Sequence, residues 1–168
     1  MISDDLISLH MNNFSIIKEE EIVSTKSIKH KLIDATVKTP TGDEVVWQYI
    51  KSRDAVTIVA LDENNNVYCV RQWRPARKDF VWELPAGGIE VENPTEEQVL
   101  ENANRELQEE IGLKSGNMQI LLAYNPTPHT DFTYYIVLAR DLTKNELPKD
   151  EHEELEVKKV PFAEAVDL

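Results

Sequence analysis

The sequence predicts an α+β or α/β/α layered fold with an N-terminal antiparallel strand subregion. Three features carry that expectation: a strand-rich first half, one amphipathic helical stretch between residues 94 and 111, and a second set of strands beyond it. At 168 residues the chain has ordinary single-domain length and can bury a core. It contains no internal repeat, low-complexity tract or Gly/Ser linker.

Residues 28–38 and 44–51 read as extended runs joined by the turn-rich cluster Thr39-Pro40-Thr41-Gly42-Asp43, the pattern of a hairpin. The nearly continuous apolar run 55–61 fits a strand covered on both faces. After a turn at 62–66, residues 67–74 alternate, with Val67, Cys69, Arg71 and Trp73 on one face and Tyr68, Val70, Gln72 and Arg74 on the other. Glu83-Leu84-Pro85-Ala86-Gly87-Gly88 reads as a strand end running into a Gly-Gly turn. Pro94-Thr95 opens a helix reaching Ile111, with Leu100, Ala103, Leu107 and Ile111 on one stripe and Gly112 as its left-handed cap. Strands at 118–124 and 132–139 bracket a Pro/Thr/His loop, 156–160 is a last short strand, and a helix starts at Pro161.

Eighteen Lys+Arg against 31 Asp+Glu give a net charge of −13. Nucleic acid and anionic membrane both need a clustered positive field, so neither is expected as a partner. An anionic small molecule needs a local inversion of sign, from an Arg/Lys cluster or a divalent cation. Cys69 is the single cysteine, which excludes an intrachain disulfide and makes a reducing, cytoplasmic setting the default. The opening MISDDLISLHMNNF lacks a signal-like apolar run, and no stretch approaches the roughly 18 apolar residues of a membrane span.

The most informative segment is Arg105-Glu106-Leu107-Gln108-Glu109-Glu110-Ile111-Gly112-Leu113. On a helix, Glu106 and Glu110 stand one turn apart with Glu109 beside them, so three carboxylates gather at one edge of the apolar stripe. Such a cluster is either a solvated acidic face or a site for a hard divalent cation, since all-oxygen ligands favour Mg²⁺ or Mn²⁺ over Zn²⁺. The Gly87-Gly88 turn upstream, where missing side chains let backbone approach a ligand, favours the second.

Together these residues resemble the Nudix hydrolase family, whose box reads Gly-x5-Glu-x7-Arg-Glu-U-x-Glu-Glu-x-Gly-U, U being apolar. Glu97, seven intervening residues and Arg105 to Leu113 match the second portion without exception. The glycine of the first portion falls three residues early, at Gly88 where the pattern points to Val91, which a three-residue insertion within 91–95 explains. That departure touches the role of Glu97 and leaves Glu106, Glu109 and Glu110 untouched. Val70-Arg71-Gln72-Trp73-Arg74, Glu83 to Gly88 and Thr127-Pro128 are similar to the branch that cleaves ADP-ribose and related nucleoside diphosphate sugars, with Pro128 lying 15 positions after Leu113. The likeness spans roughly residues 28–166, and members commonly extend the terminal helix that starts here at Pro161.

The resemblance implies a Nudix-like mixed sheet and Mg²⁺-dependent (or Mn²⁺-dependent) attack of water on a phosphoanhydride, yielding a nucleoside monophosphate and a sugar phosphate. It implies Glu106 and Glu110 as main metal ligands, Glu109 as a further ligand or its neighbour, and the carbonyl of Ala86 as another oxygen. Arg105 would orient the helix by pairing with Glu83 or Glu109. The acidic run 150–157 occupies the place of the base-bearing loop, matching Glu151 to the general base and Glu153 to a late metal ligand, with Glu154 and His152 as competing bases. Arg74 would contact the diphosphate, and Arg71 either joins it or snorkels to water. Gly88, Pro128 and Trp47 complete the substrate-binding set, Trp47 being equally suited to a core or a dimer contact, and Tyr49 a weaker candidate. His129 and Asp131, in the loop of Pro128, either reach the sugar or lie on the surface. Members of this branch are commonly homodimers through N-terminal strands, which makes residues 1–50 a dimerisation subregion and 51–168 the catalytic domain. Two other functions fit the same residues: hydrolysis of a nucleoside triphosphate or dinucleoside polyphosphate, and non-catalytic sensing of a nucleotide metabolite.

Overall fold

The computed structural model describes residues 13–24, 30–149 and 154–165. The chain divides into two compact units, residues 1–52 with 125–132, and residues 53–124 with 133–168.

The first unit is an antiparallel meander of β1 (Ser15–Ser24), β2 (Lys31–Lys38) and β3 (Glu44–Lys51) in that order. The hairpin expected at 39–43 joins β2 to β3, closed by Gly42 N–H donating to Thr39 O at 2.9 Å. Gly42 has φ of 92°, a left-handed conformation that glycine adopts without strain. Ile33, Ala35 and Val37 give β2 its buried face. The loop 125–132 is bound to this unit by Ile50 N–H donating to His129 O at 2.8 Å and Asp131 N–H donating to Ile50 O at 3.0 Å.

The second unit holds a mixed sheet of order β7 (Ala86–Gly88), β4 (Ala55–Ala60), β9 (Tyr134–Lys144) and β8 (Leu113–Tyr124), with β4 and β9 parallel. A smaller antiparallel sheet runs β10 (Glu156–Pro161), β5 (Asn66–Arg74), β6 (Asp79–Glu83). Helix α1 (Glu96–Glu110) starts at a capping box: Thr95 Oγ1 accepts from Gln98 N–H, and Gln98 Oε1 accepts from Thr95 N–H. Its stripe of Val99, Ala103 and Leu107 packs on Val56, Ile58, Ala60, Val137 and Ala139 to make the principal core. The opposite face of β4 and β9, through Val59 and Leu138, meets Leu61, Val67, Cys69 and Val160. The predicted alternation in β5 holds, Tyr68 packing against the first cluster and Cys69 lying in the second. The terminal helix α2 (Phe162–Ala165) extends four residues among those described.

Candidate active site

Helix α1 carries its polar chemistry at its C-terminal half, beside its buried stripe. Glu106 and Glu110 are only 9% and 3% exposed, an unusual depth for carboxylates and one that needs nearby compensation. Arg105 supplies part of it, pairing with both Glu106 and Glu109. Burial opposes the charge on Arg105, but the two carboxylates outweigh it and hold the guanidinium more firmly protonated than usual. Glu110 Oε2 accepts from the backbone N–H of Ala86 at 3.1 Å, tying the helix to β7. Of the two partners considered for Arg105, Glu109 is found; Glu83 is engaged elsewhere, since Arg74 Nε donates to its two oxygens at 2.8 and 3.1 Å.

Glycine at position 87 is a requirement of this packing. A Cβ there would lie 2.0 Å from Glu106 Cδ, so bare backbone leaves the space that Glu106 fills. At Gly88 a Cβ would meet Arg53 Nε at 2.1 Å, and Arg53 in turn pairs with Glu90.

The donor set fits a hard divalent cation. Three carboxylates and one guanidinium leave an excess of negative charge in a poorly solvated place, and every available ligand atom is oxygen. The side chains are not preassembled into a ligand cluster among the described residues. Glu106 and Glu109 are turned onto Arg105, and Glu110 onto the Ala86 amide.

The remaining sequence-nominated residues fall in several places. Arg74 is forked onto Glu83, while Arg71 Nη1 donates to Glu156 Oε2 at 3.2 Å and its guanidinium sits 5.0 Å from the Phe80 ring centroid. Glu97 is exposed in the first turn of α1, nine residues before Glu106 and so roughly 13 Å along the axis. Residues 91–93, within the stretch where the insertion is expected, form a bend before the cap, with Asn93 at φ 52°. Glu151, His152 and Glu153 lie outside the described residues; Glu154 is described and exposed.

In the first unit, Trp47 and Pro128 border one concavity of about 750 Å³, together with Phe14, Tyr49, His129 and Asp131. Trp47 is 54% exposed, its ring 5.9 Å from that of Phe14. Tyr49 donates its hydroxyl to Glu19 Oε1 at 2.6 Å, and its pKa is pushed up to about 12, by burial first and then by Glu19 and Asp131. Sequence reasoning passed over Glu19, which sits in a strand with no buried side chain to announce it.

A carboxylate-bearing helix locked under a glycine strand, on a mixed sheet, defines a class of α+β proteins equipped to hold a hard cation on oxygen ligands. The chain belongs to the NUDIX domain family, whose sequence profile matches residues 51–168. It is 35% identical over 132 residues to an ADP-ribose pyrophosphatase of Mycobacterium tuberculosis, covering 77% of this chain and 62% of that one. The chain thus spans less than two thirds of that relative's length. It is 30% identical over 157 residues to an ADP-ribose pyrophosphatase of Bacillus subtilis, covering 90% of this chain and 80% of that one. A methanol dehydrogenase activator of Bacillus methanolicus is 30% identical over 132 residues, or 77% and 68% of the two chains. In fold it matches a crystal structure of an ADP compounds hydrolase with a TM-score of 0.77 at 23% identity, over 92% of this chain and 82% of that one.

Proposed function

We propose that this chain hydrolyses the pyrophosphate bond of ADP-ribose or a related nucleoside diphosphate sugar, giving a nucleoside monophosphate and a sugar phosphate. The observation that carries this is the burial of Glu106 and Glu110 against Gly87 and Ala86 on the helix of the family's box. Two relatives named ADP-ribose pyrophosphatase support the substrate class.

Glu106, Glu110, Glu109, the Ala86 carbonyl and Glu153 would hold Mg²⁺, with Mn²⁺ as a substitute. Bound there, the cation neutralises developing charge on the phosphoryl oxygens and lowers the pKa of water. Arg105 keeps Glu106 and Glu109 oriented, sharing charge between them. Glu151 accepts the proton of the attacking water. Arg74, its guanidinium plane fixed by Glu83, and Arg71 supply positive charge to the diphosphate, and the bare backbone at Gly88 permits its close approach. Trp47 and Pro128 contact the nucleoside, a role that suits the exposed Trp47 ring. The active species is a homodimer through residues 1–50, in the cytoplasm; no described helix is long and apolar enough to cross a membrane.

The test is hydrolysis of ADP-ribose, GDP-mannose, UDP-glucose, dGTP and diadenosine tetraphosphate in Mg²⁺, with products separated by chromatography and the Glu106→Gln protein as control. Monophosphate and sugar phosphate from the sugar conjugates, absent with the variant, are expected. Preference for dGTP or the dinucleotide overturns the substrate class, and ADP-ribose binding without turnover of any compound points to a sensor.

A further inference from the structure

In the register of the first sheet, Glu19 stands opposite Ala35 and Ala35 opposite Trp47, so the three side chains form a row on one face of β1, β2 and β3. Ala35 contributes only a methyl group, and two strand spacings separate the outer pair by roughly 10 Å. The row is therefore a slot with a low floor, an indole on one side and a carboxylate on the other. All three residues border the concavity of about 750 Å³, which Tyr49 and Pro128 also line.

Glu19 is exposed, so a ligand seated in the concavity reaches it. The next two residues direct their charge to lysines, Glu20 to Lys18 at 2.7 Å and Glu21 to Lys31 at 2.8 Å. Among the described residues Glu19 pairs with no cation. It accepts only from the Tyr49 hydroxyl, through Oε1 at 2.6 Å. That bond holds the carboxylate beside the slot, uses the one proton the phenol can donate, and leaves Oε2 as an acceptor. The other carboxylate at the concavity, Asp131, has Lys51 3.9 Å away. Apolar walls with a few fixed polar groups orient a planar ligand, and a carboxylate, which only accepts, matches a base edge that carries N–H.

We propose that Glu19 is the residue that selects the base: Trp47 takes the face of the nucleobase, and Glu19 accepts from an exocyclic amino group at its edge, as on adenine. This rests on the function proposed above, which assigns the nucleoside to Trp47 and Pro128 and leaves the base open. Against a base with no donor at that edge, Glu19 loses water and gains no bond, and that difference discriminates.

The test compares ADP-ribose with its analogue in which unsubstituted purine replaces adenine, so that only the amino group differs, by kcat/KM in Mg²⁺. The unaltered protein should favour ADP-ribose about tenfold, with the difference in KM rather than kcat, because the contact is remote from the bond that breaks. Glu19→Ala should bring the ratio to within about twofold, and Glu19→Gln, which keeps an acceptor without the charge, should fall between the two. Glu20→Gln, on the other face of β1, should leave the ratio unchanged. The ratio is the readout because damage to the sheet, or to an oligomer formed through it, lowers both rates alike. A ratio near one in the unaltered protein, or a preference that survives Glu19→Ala, overturns the proposal. So does a difference seated in kcat. Failure of the unaltered protein to cleave either compound removes the functional reading and this inference together. Cleavage of both with a ratio indifferent to Glu19 removes only the inference.

Discussion

Gly87 and Glu106 occupy one another's space, and this separates the site from the fold. A methyl at position 87 collides with the far end of a flexible side chain rather than with backbone, so the helix stays where it is and the carboxylate moves. Gly87→Ala is accordingly expected to leave the melting temperature within a few degrees while weakening Mn²⁺ affinity, read by electron paramagnetic resonance, by about tenfold or more. Glu106→Gln keeps the shape, and turnover should fall at least about a hundredfold; unchanged turnover would remove Glu106 from the ligand set. Tyr49 titrates on its own terms. With its pKa raised from 10 to about 12, the unfolded chain loses the phenolic proton first. Its contribution to stability is fully present below pH 10 and is lost as pH rises through about 12. Glu19→Gln should lower the tyrosinate absorbance midpoint of Tyr49, and an unmoved midpoint would leave burial and Asp131 as its causes. At this scale Glu106, Glu109 and Glu110 were legible because box spacing and helix periodicity agree. Glu19 was not, because its significance lies in the Tyr49 hydroxyl that its side chain meets, and no spacing encodes that.

Helix α1 was the most legible element because propensity, periodicity and cap all point the same way: the Thr95/Gln98 box at one end, Gly112 at φ 72° just past the other, and a buried stripe between. Its starting point moved from Pro94 to Glu96 because Thr95 acts as the cap. Strand β1 was invisible for the opposite reason: every one of its ten residues is exposed, so Ser15–Ser24 shows no buried alternation. Strand β6 is only five residues long, and the N-terminal half of β8 is polar, held instead by its ladder to β9 and by Asn104 on Ser115. The two contributions to α1 separate by mutation. Leu107→Ala, at a fully buried position, should cost about 2–5 kcal/mol in denaturant unfolding, whereas Thr95→Ala should cost about 1 kcal/mol. Equal costs would mean that the helix is held by its cap rather than by packing.

At the scale of the whole molecule, what sequence could not show is which distant segments share a unit. Residues 125–132 belong with the N-terminal strands through a parallel bridge of Ile50 with Thr130, a pairing that no local pattern encodes. The same unit exposes Ile16, Ile22, Val23, Val46 and Trp47 on a three-stranded sheet, and Phe14 just before it, at half or more of their surface. That much outward apolar area on so small a sheet is better buried than hydrated, which supports the proposed homodimer. Like charge opposes it, since each copy carries −13. The two terms respond differently to salt: screening weakens the repulsion within a Debye length of about 8 Å at physiological ionic strength, and leaves the apolar contribution largely in place. Sedimentation equilibrium should therefore give twice the chain mass of 19.3 kDa, with a dissociation constant that falls as salt is raised from low to physiological strength. Val46→Asp places a charge on a side chain 57% exposed and away from the principal core, so it should shift the equilibrium to monomer without lowering the melting temperature of the second unit. A monomeric mass at every concentration and salt level would sink the dimer, and would assign the exposed apolar side chains beside Trp47 to the concavity alone.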